Sequence, residues 1–167
     1  MIEIIGAEGK ISNIEVFLKK TQEFSKKNNL KIQSFDAELI YGKDHLTSSY
    51  NHAKRAFENK TNTSPDIEME LLLYSSGERQ LKKAIPKMGI KKEKTKIIFI
   101  FIDNKIDKKV IKDFLKILNL NRNDKVIEGN INTLKKFGIK DNEIKTVKEE
   151  KYGDLILEKV ALVDIIK

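Results

Sequence analysis

Continuous apolar runs and apolar residues at helical spacing follow one another along this chain. Two runs, at 69–74 and 95–102, contain few polar residues, which is typical of strands that are covered on both faces. They are predicted to form the centre of a sheet, and shorter strands are predicted at 2–5 and 33–40. A right-handed crossover would join the two central strands if they are parallel neighbours.

Helices are predicted where apolar residues recur three and four positions apart, at 12–29, 44–59 and 107–118. Between the two central runs, Ser75 and Glu78 have the spacing of a capping box, so a short basic helix is expected to open at Ser75. The last predicted helix, 152–167, is apolar almost all round. Such a helix is either fully buried or shared with another chain.

These elements predict the α/β class. We expect a single domain over residues 1–167, in which a central, mostly buried mixed β-sheet is packed by several α-helices. A chain of 167 residues can bury one hydrophobic core without help from a metal or a disulfide.

The composition restricts the cellular context. The chain has no cysteine, which excludes disulfides and zinc sites built on thiolates and fits a reducing compartment, so a cytoplasmic location is expected. The longest apolar run, 97–102, is far shorter than the roughly 20 residues of a membrane-spanning helix. The sequence therefore predicts a soluble protein with no membrane partner.

The net charge of +8 and the pI of about 9.4 would suggest an acidic partner such as nucleic acid. This signal is discounted because 30 of the 33 basic residues are lysine, a composition that also fits an AT-rich genome or a thermophile. The three arginines, Arg55, Arg79 and Arg122, are more selective signals, since a guanidinium makes planar, bidentate contacts with phosphate.

Catalytic signatures are weak. His45 and His52 are seven residues apart, about 10.5 Å along a helix, which is too far to chelate one metal without a third element. The neighbouring serines lack an orienting carboxylate and a G-x-S-x-G turn, and no phosphate-binding loop is present. We therefore predict no catalytic residue, metal, cofactor or small-molecule substrate. A small hydrolase that uses His45 or His52 is the least favoured alternative.

Anion binding is better supported at the predicted start of the basic helix. Backbone N–H groups at Ser76 and Gly77 and the helix dipole would attract a phosphate, although Glu78 would repel it. The alternative is an ordinary solvated face of a lysine-rich protein. The candidate phosphate-binding residues are Ser76, Gly77, Arg79 and Lys83, with Lys54 and Arg55 if they lie beside them.

Three segments together carry a resemblance to a known family. The sequence YSSGERQLKKAIPKMGIKKEKTKIIFIFI at 74–102 resembles the TPRKB-type kinase-binding subunit of the KEOPS (EKC) complex, in an archaeal-like form. DHLTSSYNHAKRAF at 44–57 is similar to the helix of that family with a histidine near its start, and DLILEKVALVDI at 154–165 is similar to its C-terminal helix.

The resemblance implies a non-catalytic subunit of the machinery that makes threonylcarbamoyladenosine at A37 of tRNA. Such a subunit binds and supports the small kinase-like ATPase and, in archaea, helps to recruit tRNA through its single-stranded 3′ CCA end. Carried onto this chain, it makes Arg79, Gln80 and Lys83 the RNA candidates. For the kinase surface we favour the apolar residues Leu157, Val160 and Val163 of the last helix. A free-standing single-stranded-RNA or tRNA-binding protein is the alternative.

Overall fold

The structure is a computed structural model that describes residues 1–167. It contains four strands and eight α-helices, joined in part by short 3₁₀ turns at Ala37–Leu39, Asp124–Ile127 and Glu149–Lys151. In chain order the elements are β1 (Ile2–Glu8), α1 (Ile14–Asn28), β2 (Lys31–Asp36), α2 (Gly42–Glu58), α3 (Ile67–Ser76), α4 (Leu81–Met88), β3 (Lys96–Ile102), α5 (Lys108–Ile117), β4 (Asn121–Arg122), α6 (Ile131–Phe137), α7 (Asp141–Ile144) and α8 (Tyr152–Ile166).

The chain forms two compact units, and each is built from two separate segments. Unit 1 comprises Met1–Ala37 and Ile90–Ile127, and unit 2 comprises Glu38–Gly89 and Glu128–Lys167. Unit 1 holds the whole sheet with α1 and α5, whereas the regular elements of unit 2 are all helical. A single domain over the full chain stays a prediction.

The sheet of unit 1 has the order β2-β3-β1-β4, and every pairing is antiparallel. Its register aligns Ile2 with Ile102 across β1 and β3, and Lys31 with Ile102 across β2 and β3. The apolar run of β3 lies between two strands and is buried from Ile97 to Phe101, as its lack of polar residues predicts. The α/β class is confirmed, but the sheet is antiparallel rather than mixed.

Helices α1 and α5 cover one face of this sheet. Successive side chains of a strand point to opposite faces, so Phe99 and Phe101 of β3 share the face that the helices cover. The ring of Phe114 on α5 lies 5.0 Å from that of Phe99 and 5.1 Å from that of Phe24 on α1. Aromatic contacts at these separations stabilise the packing beyond what the buried area alone contributes. They fix α1 and α5 side by side on the sheet.

The prediction of a central strand at 69–74 is wrong, because this segment lies in helix α3. Leu71, Leu73 and Tyr74 are fully buried, and every residue of the helix from Glu70 to Ser76 is buried. A buried helix and a buried strand both give a continuous apolar run, and periodicity cannot separate them. The predicted strand–helix–strand crossover is consequently absent, and the sheet has no parallel pair.

In unit 2, helices α2 and α8 lie side by side and run in the same direction. Gly153 near the start of α8 lies beside Tyr41, which precedes α2. Asp164 near the end of α8 lies beside His52 on α2. The buried apolar side chains of this unit include Leu46, Ala53, Leu71, Leu73, Ile156, Val160 and Val163.

Candidate functional site

His45 is a buried structural residue of unit 2. Its Nδ1 accepts the backbone N–H of Tyr41 at 3.2 Å, so its Nε2 carries the proton and donates to the carbonyl of Ser75 at 2.9 Å. Burial lowers the pKa of His45 to about 4, and the ring is neutral at neutral pH. Ser49 donates to the backbone carbonyl of His45 at 2.7 Å and not to an imidazole. No serine–histidine pair is therefore assembled here.

His52 belongs to a polar cluster that joins the end of α8 to α2 and α3. Its Nδ1 lies 2.7 Å from Oδ2 of Asp164 and 2.8 Å from Nη2 of Arg55. The Tyr74 hydroxyl donates to the other oxygen of Asp164. Burial opposes ionisation of Asp164, but the hydrogen bonds from Tyr74 and His52 outweigh it and lower the pKa of this carboxyl group. The cluster holds the end of α8 in place.

A second polar contact at the end of α8 is almost completely buried. Lys167, just after the helix, places its Nζ 2.6 Å from Oε1 of Glu70 on α3, and the exposed fractions of the two side chains are 7% and 0%. The other carboxylate oxygen of Glu70 accepts the backbone N–H groups of Thr63 and Ser64, both at 2.9 Å. Glu70 is thereby satisfied on both oxygens, which is the condition for keeping a buried charge.

The loop from Ser75 to Gln80 differs from its predicted geometry. The sequence places a helix start at Ser75, but Ser75 and Ser76 are the buried last residues of α3, and Gly77 ends that helix with a φ of 68°. The start on which the anion-binding roles of Ser76 and Gly77 depend is therefore absent at this position. A helix start lies instead at Leu81, where α4 begins after Gln80.

Lys87 holds the Ser76–Glu78 turn in place. Its Nζ donates to the carbonyl of Ser76 at 2.7 Å, lies 3.4 Å from the Glu78 carboxylate and sits 4.0 Å above the ring of Phe137. Burial lowers the pKa of this lysine. Because Lys87 contacts both Ser76 and Glu78, the turn holds the residues that follow it, Arg79 and Gln80, in a defined position.

The basic RNA candidates are divided between two places. Arg79 and Lys83 are exposed at the start of α4, and Gln80 is half-buried between α3 and α4. Arg55 lies instead on α2 beside Asp164, at 3.7 Å, and Lys54 pairs with Glu58 along the same helix at 3.8 Å. Both α2 cations already face a carboxylate.

The exposed side of α8 differs from the predicted partner surface. Val160 and Val163 are fully buried inside unit 2, so they are inaccessible to a partner in this conformation, and Leu157 is half-buried. A helix that is apolar on all sides does not reveal from its sequence which side faces solvent. The apolar residues that do face solvent, here called the α8 face, are Ala161, Leu162, Ile165 and Ile166.

A cleft of about 580 Å³ lies between the starts of α2 and α8 and was not predicted. Tyr41 forms one wall, and it packs so closely on Gly129 that a Cβ there would lie 2.5 Å from the tyrosine ring. Burial, followed by the charge of Glu149, raises the pKa of Tyr41. The charged side chains that line the cleft are Lys43, Asp44, Glu128, Glu150 and Asp154. Four carboxylates against one lysine disfavour a phosphate in this cleft.

The histidine and acidic side chains do not converge into any group of three or more that could hold a metal ion. None of the helices combines the length and the apolar character that crossing a bilayer requires.

The fold and these surfaces define a small α/β protein that presents to solvent an apolar helix face and the basic residues Arg79 and Lys83 at the start of α4. Residues 10–164 match the family described as kinase binding protein CGI-121, and the chain belongs to this family. The match confirms the resemblance to TPRKB-type subunits that the segments at 44–57, 74–102 and 154–165 suggest. A search of curated proteins found no match.

Proposed function

We propose that this protein is a non-catalytic auxiliary subunit of the KEOPS complex, in the pathway to threonylcarbamoyladenosine at A37 of tRNA. It binds and supports the kinase-like ATPase of that complex and helps to recruit tRNA through the 3′ CCA end. The family match carries this proposal, because its description names kinase binding and it spans residues 10–164. The exposed apolar α8 face offers a protein partner a place to bind.

The α8 face supports the kinase part of the proposal in physical terms. Ile165 is 78% exposed, and Ile166 and Leu162 stay exposed beside it. These side chains lie three and four residues apart, so they share one side of the helix. Contiguous exposed apolar residues of this kind mark interaction sites. Val160 and Val163 would support that surface from beneath, because they pack α8 onto unit 2.

Replacing Ile165 with aspartate is expected to weaken kinase binding by about 30-fold or more, because a buried apolar anchor at an interface contributes roughly 2 kcal/mol or more. Co-elution with the kinase subunit in size-exclusion chromatography and calorimetric titration would measure it. The matched control is Ile117→Asp, since Ile117 is 47% exposed on α5 of unit 1. Equal loss in both variants, or no loss in Ile165→Asp, would contradict the assignment of this surface.

The start of α4 supports the RNA part. Arg79 and Lys83 are exposed there, and Gln80 precedes the first turn with no side-chain cap of its own. The positive end of a helix and an arginine beside it both favour a phosphate. Single-stranded RNA ends are held by such contacts together with recognition of the base and the 2′-hydroxyl.

The substitution Arg79→Glu is expected to weaken tRNA binding by about tenfold or more, since a charge-assisted phosphate contact contributes roughly 1.5 to 3 kcal/mol. Removal of the 3′ CCA should weaken binding to the wild type and add little to the loss in the variant. Fluorescence anisotropy with intact and trimmed tRNA measures both, and Lys145→Glu, an exposed change elsewhere in unit 2, is the control. Equal affinity for intact and trimmed tRNA would rule out recognition of the 3′ end.

A free-standing tRNA-binding protein is the second candidate, and the positive net charge favours it. Binding to the kinase subunit distinguishes the two candidate functions. A chain that binds tRNA but never co-elutes with a KEOPS kinase subunit would be the free-standing protein.

A further inference from the structure

The net charge of the chain is concentrated almost entirely in unit 1. That unit contains 17 basic and 10 acidic residues, a net charge of +7, whereas unit 2 contains 16 basic and 15 acidic residues, a net charge of +1. A lysine-rich composition alone would spread the excess over both units. Composition alone therefore does not explain the difference in net charge between the two units.

Ion pairing also differs between the units, although Lys91, Lys94 and Arg122 of unit 1 are paired with carboxylates. Seven lysines of unit 2 lie within 4.0 Å of a carboxylate oxygen, among them Lys54, Lys136 and Lys159. The exposed lysines of α1 and α5 in unit 1 make no such pair. They are Lys19, Lys20, Lys26 and Lys27 on α1, and Lys108, Lys109, Lys112 and Lys116 on α5.

These eight lysines, here called the lysine face, lie on the solvent side of two adjacent helices. On α5, Lys109, Lys112 and Lys116 are three and four residues apart, so they form a stripe with a rise of about 4.5 and 6 Å between neighbours. On α1, Lys19 and Lys26 are two turns apart and project on the same side. Both helices cover the same face of the sheet, so their outer sides form one surface.

Three acidic residues lie on the same two helices and reduce the charge of this surface. Glu15, Glu23 and Asp113 are exposed there, which leaves an excess of five positive charges over the eight lysines. Unpaired lysine ammonium groups at this density attract a polyanion. The range of this attraction becomes shorter as the salt concentration rises.

We propose that the lysine face of unit 1 binds the sugar-phosphate backbone of tRNA away from its 3′ end. This inference rests on the proposed tRNA binding and adds a second contact surface to it. The face carries no arginine and no aromatic side chain, so it lacks the groups that read or stack bases. It therefore contacts phosphates without regard to sequence.

The surface fits RNA better than a membrane or a protein. The exposed large apolar residues of the two helices are Val16 and Leu18 on α1 and the single Ile117 on α5. Val16 and Leu18 are two residues apart and so lie on opposite flanks of α1. They form no continuous side that could enter a bilayer. Lysine is depleted in the cores of protein interfaces, whereas phosphate neutralisation by lysine is the main source of affinity in sequence-independent nucleic-acid binding.

The test uses the full chain with lysines 109, 112 and 116 changed to glutamine, which removes three charges and keeps helix propensity. The matched control changes Lys60, Lys145 and Lys148 of unit 2 to glutamine, because these are exposed lysines without ion pairs. The probe is tRNA trimmed of its 3′ CCA, titrated by fluorescence anisotropy at several KCl concentrations. Circular dichroism verifies that each variant is folded.

For trimmed tRNA we expect the α5 variant to bind about tenfold more weakly than wild type. Its dependence of log K on log salt concentration should be shallower by roughly 2 to 3, since each neutralised phosphate contributes about 0.7 to 0.9. The control should retain wild-type binding. The inference would be overturned if the α5 variant bound trimmed tRNA as tightly as wild type, or if both variants lost the same affinity. It would also be overturned if the wild-type protein bound anionic phospholipid vesicles but did not bind trimmed tRNA.

The proposals for the two RNA-binding surfaces can be refuted independently. If Arg79→Glu and CCA removal leave binding unchanged while the α5 variant loses it, recognition of the 3′ end is wrong and the lysine face stands. If the losses occur in the opposite combination, the lysine face is wrong and recognition of the 3′ end stands.

Discussion

Replacing Glu70 with alanine is expected to destabilise the protein by about 3 to 5 kcal/mol, because it leaves the buried Lys167 ammonium without its partner. The change also removes the acceptor of two backbone N–H groups, at Thr63 and Ser64. For a chain of this length the melting temperature should fall by roughly 10 °C. Chemical and thermal unfolding, followed by circular dichroism, measure both quantities.

The matched control is Glu58→Ala, which removes an exposed carboxylate whose partner Lys54 lies one turn away at 3.8 Å. Exposed pairs of this kind contribute less than about 1 kcal/mol, so its effect should be several times smaller. Equal stability changes for the two alanine variants would show that the Glu70 contact is open to water in solution.

Acidification is expected to destabilise the protein through His45. In the unfolded chain this histidine titrates near its ordinary pKa of 6.5, whereas burial lowers the pKa to about 4 in the folded state. The unfolded state therefore binds more protons between these values, and stability decreases as the pH falls. The total contribution is about 3 kcal/mol, of which about 2 kcal/mol is lost between pH 7 and pH 5.

Urea unfolding at a series of pH values would measure this decrease, and two histidine variants locate it. His45→Gln should be less stable at pH 7 but should show a much smaller decrease between pH 7 and pH 5. His52→Gln should keep the decrease, because this variant leaves the buried imidazole of His45 in place. A wild-type pH dependence in His45→Gln would refute the assignment to the buried imidazole.

Elements with a distinctive local pattern were predictable from the sequence. The apolar stripes of α1, α2 and α5 define their helices, and the unbroken run of β3 defines the centre of the sheet. The segment at 69–74 predicts a strand because only Glu70 interrupts its apolar residues, although the segment lies in helix α3. A buried helix and a buried strand differ in the elements that pack around them, and a short window of sequence does not contain that information.

The candidate surfaces were less predictable, since they depend on contacts between distant residues. The segments at 44–57, 74–102 and 154–165 suggested the family, and the structure leaves Arg79 and Lys83 exposed. The outward side of α8 is set by Asp164, which bonds to Tyr74 90 residues earlier and to His52 112 residues earlier. Such pairings determine which of Leu162 and Val163 faces solvent. They cannot be predicted from the local sequence pattern, because the partner residues are far apart along the chain.

The interleaved connectivity of the two units has a consequence for synthesis. Strand β1 aligns Glu8 with Lys96 of β3, so the sheet cannot close until the ribosome has already made the first segment of unit 2. That segment must in turn wait for α8. Unit 1 is complete once Ile127 has emerged, whereas unit 2 still needs α8. The first segment of unit 2 is therefore made before the sheet of unit 1 can close, yet it acquires its own core last. This internal segment is the part of the nascent polypeptide that chaperones for hydrophobic segments would shield longest.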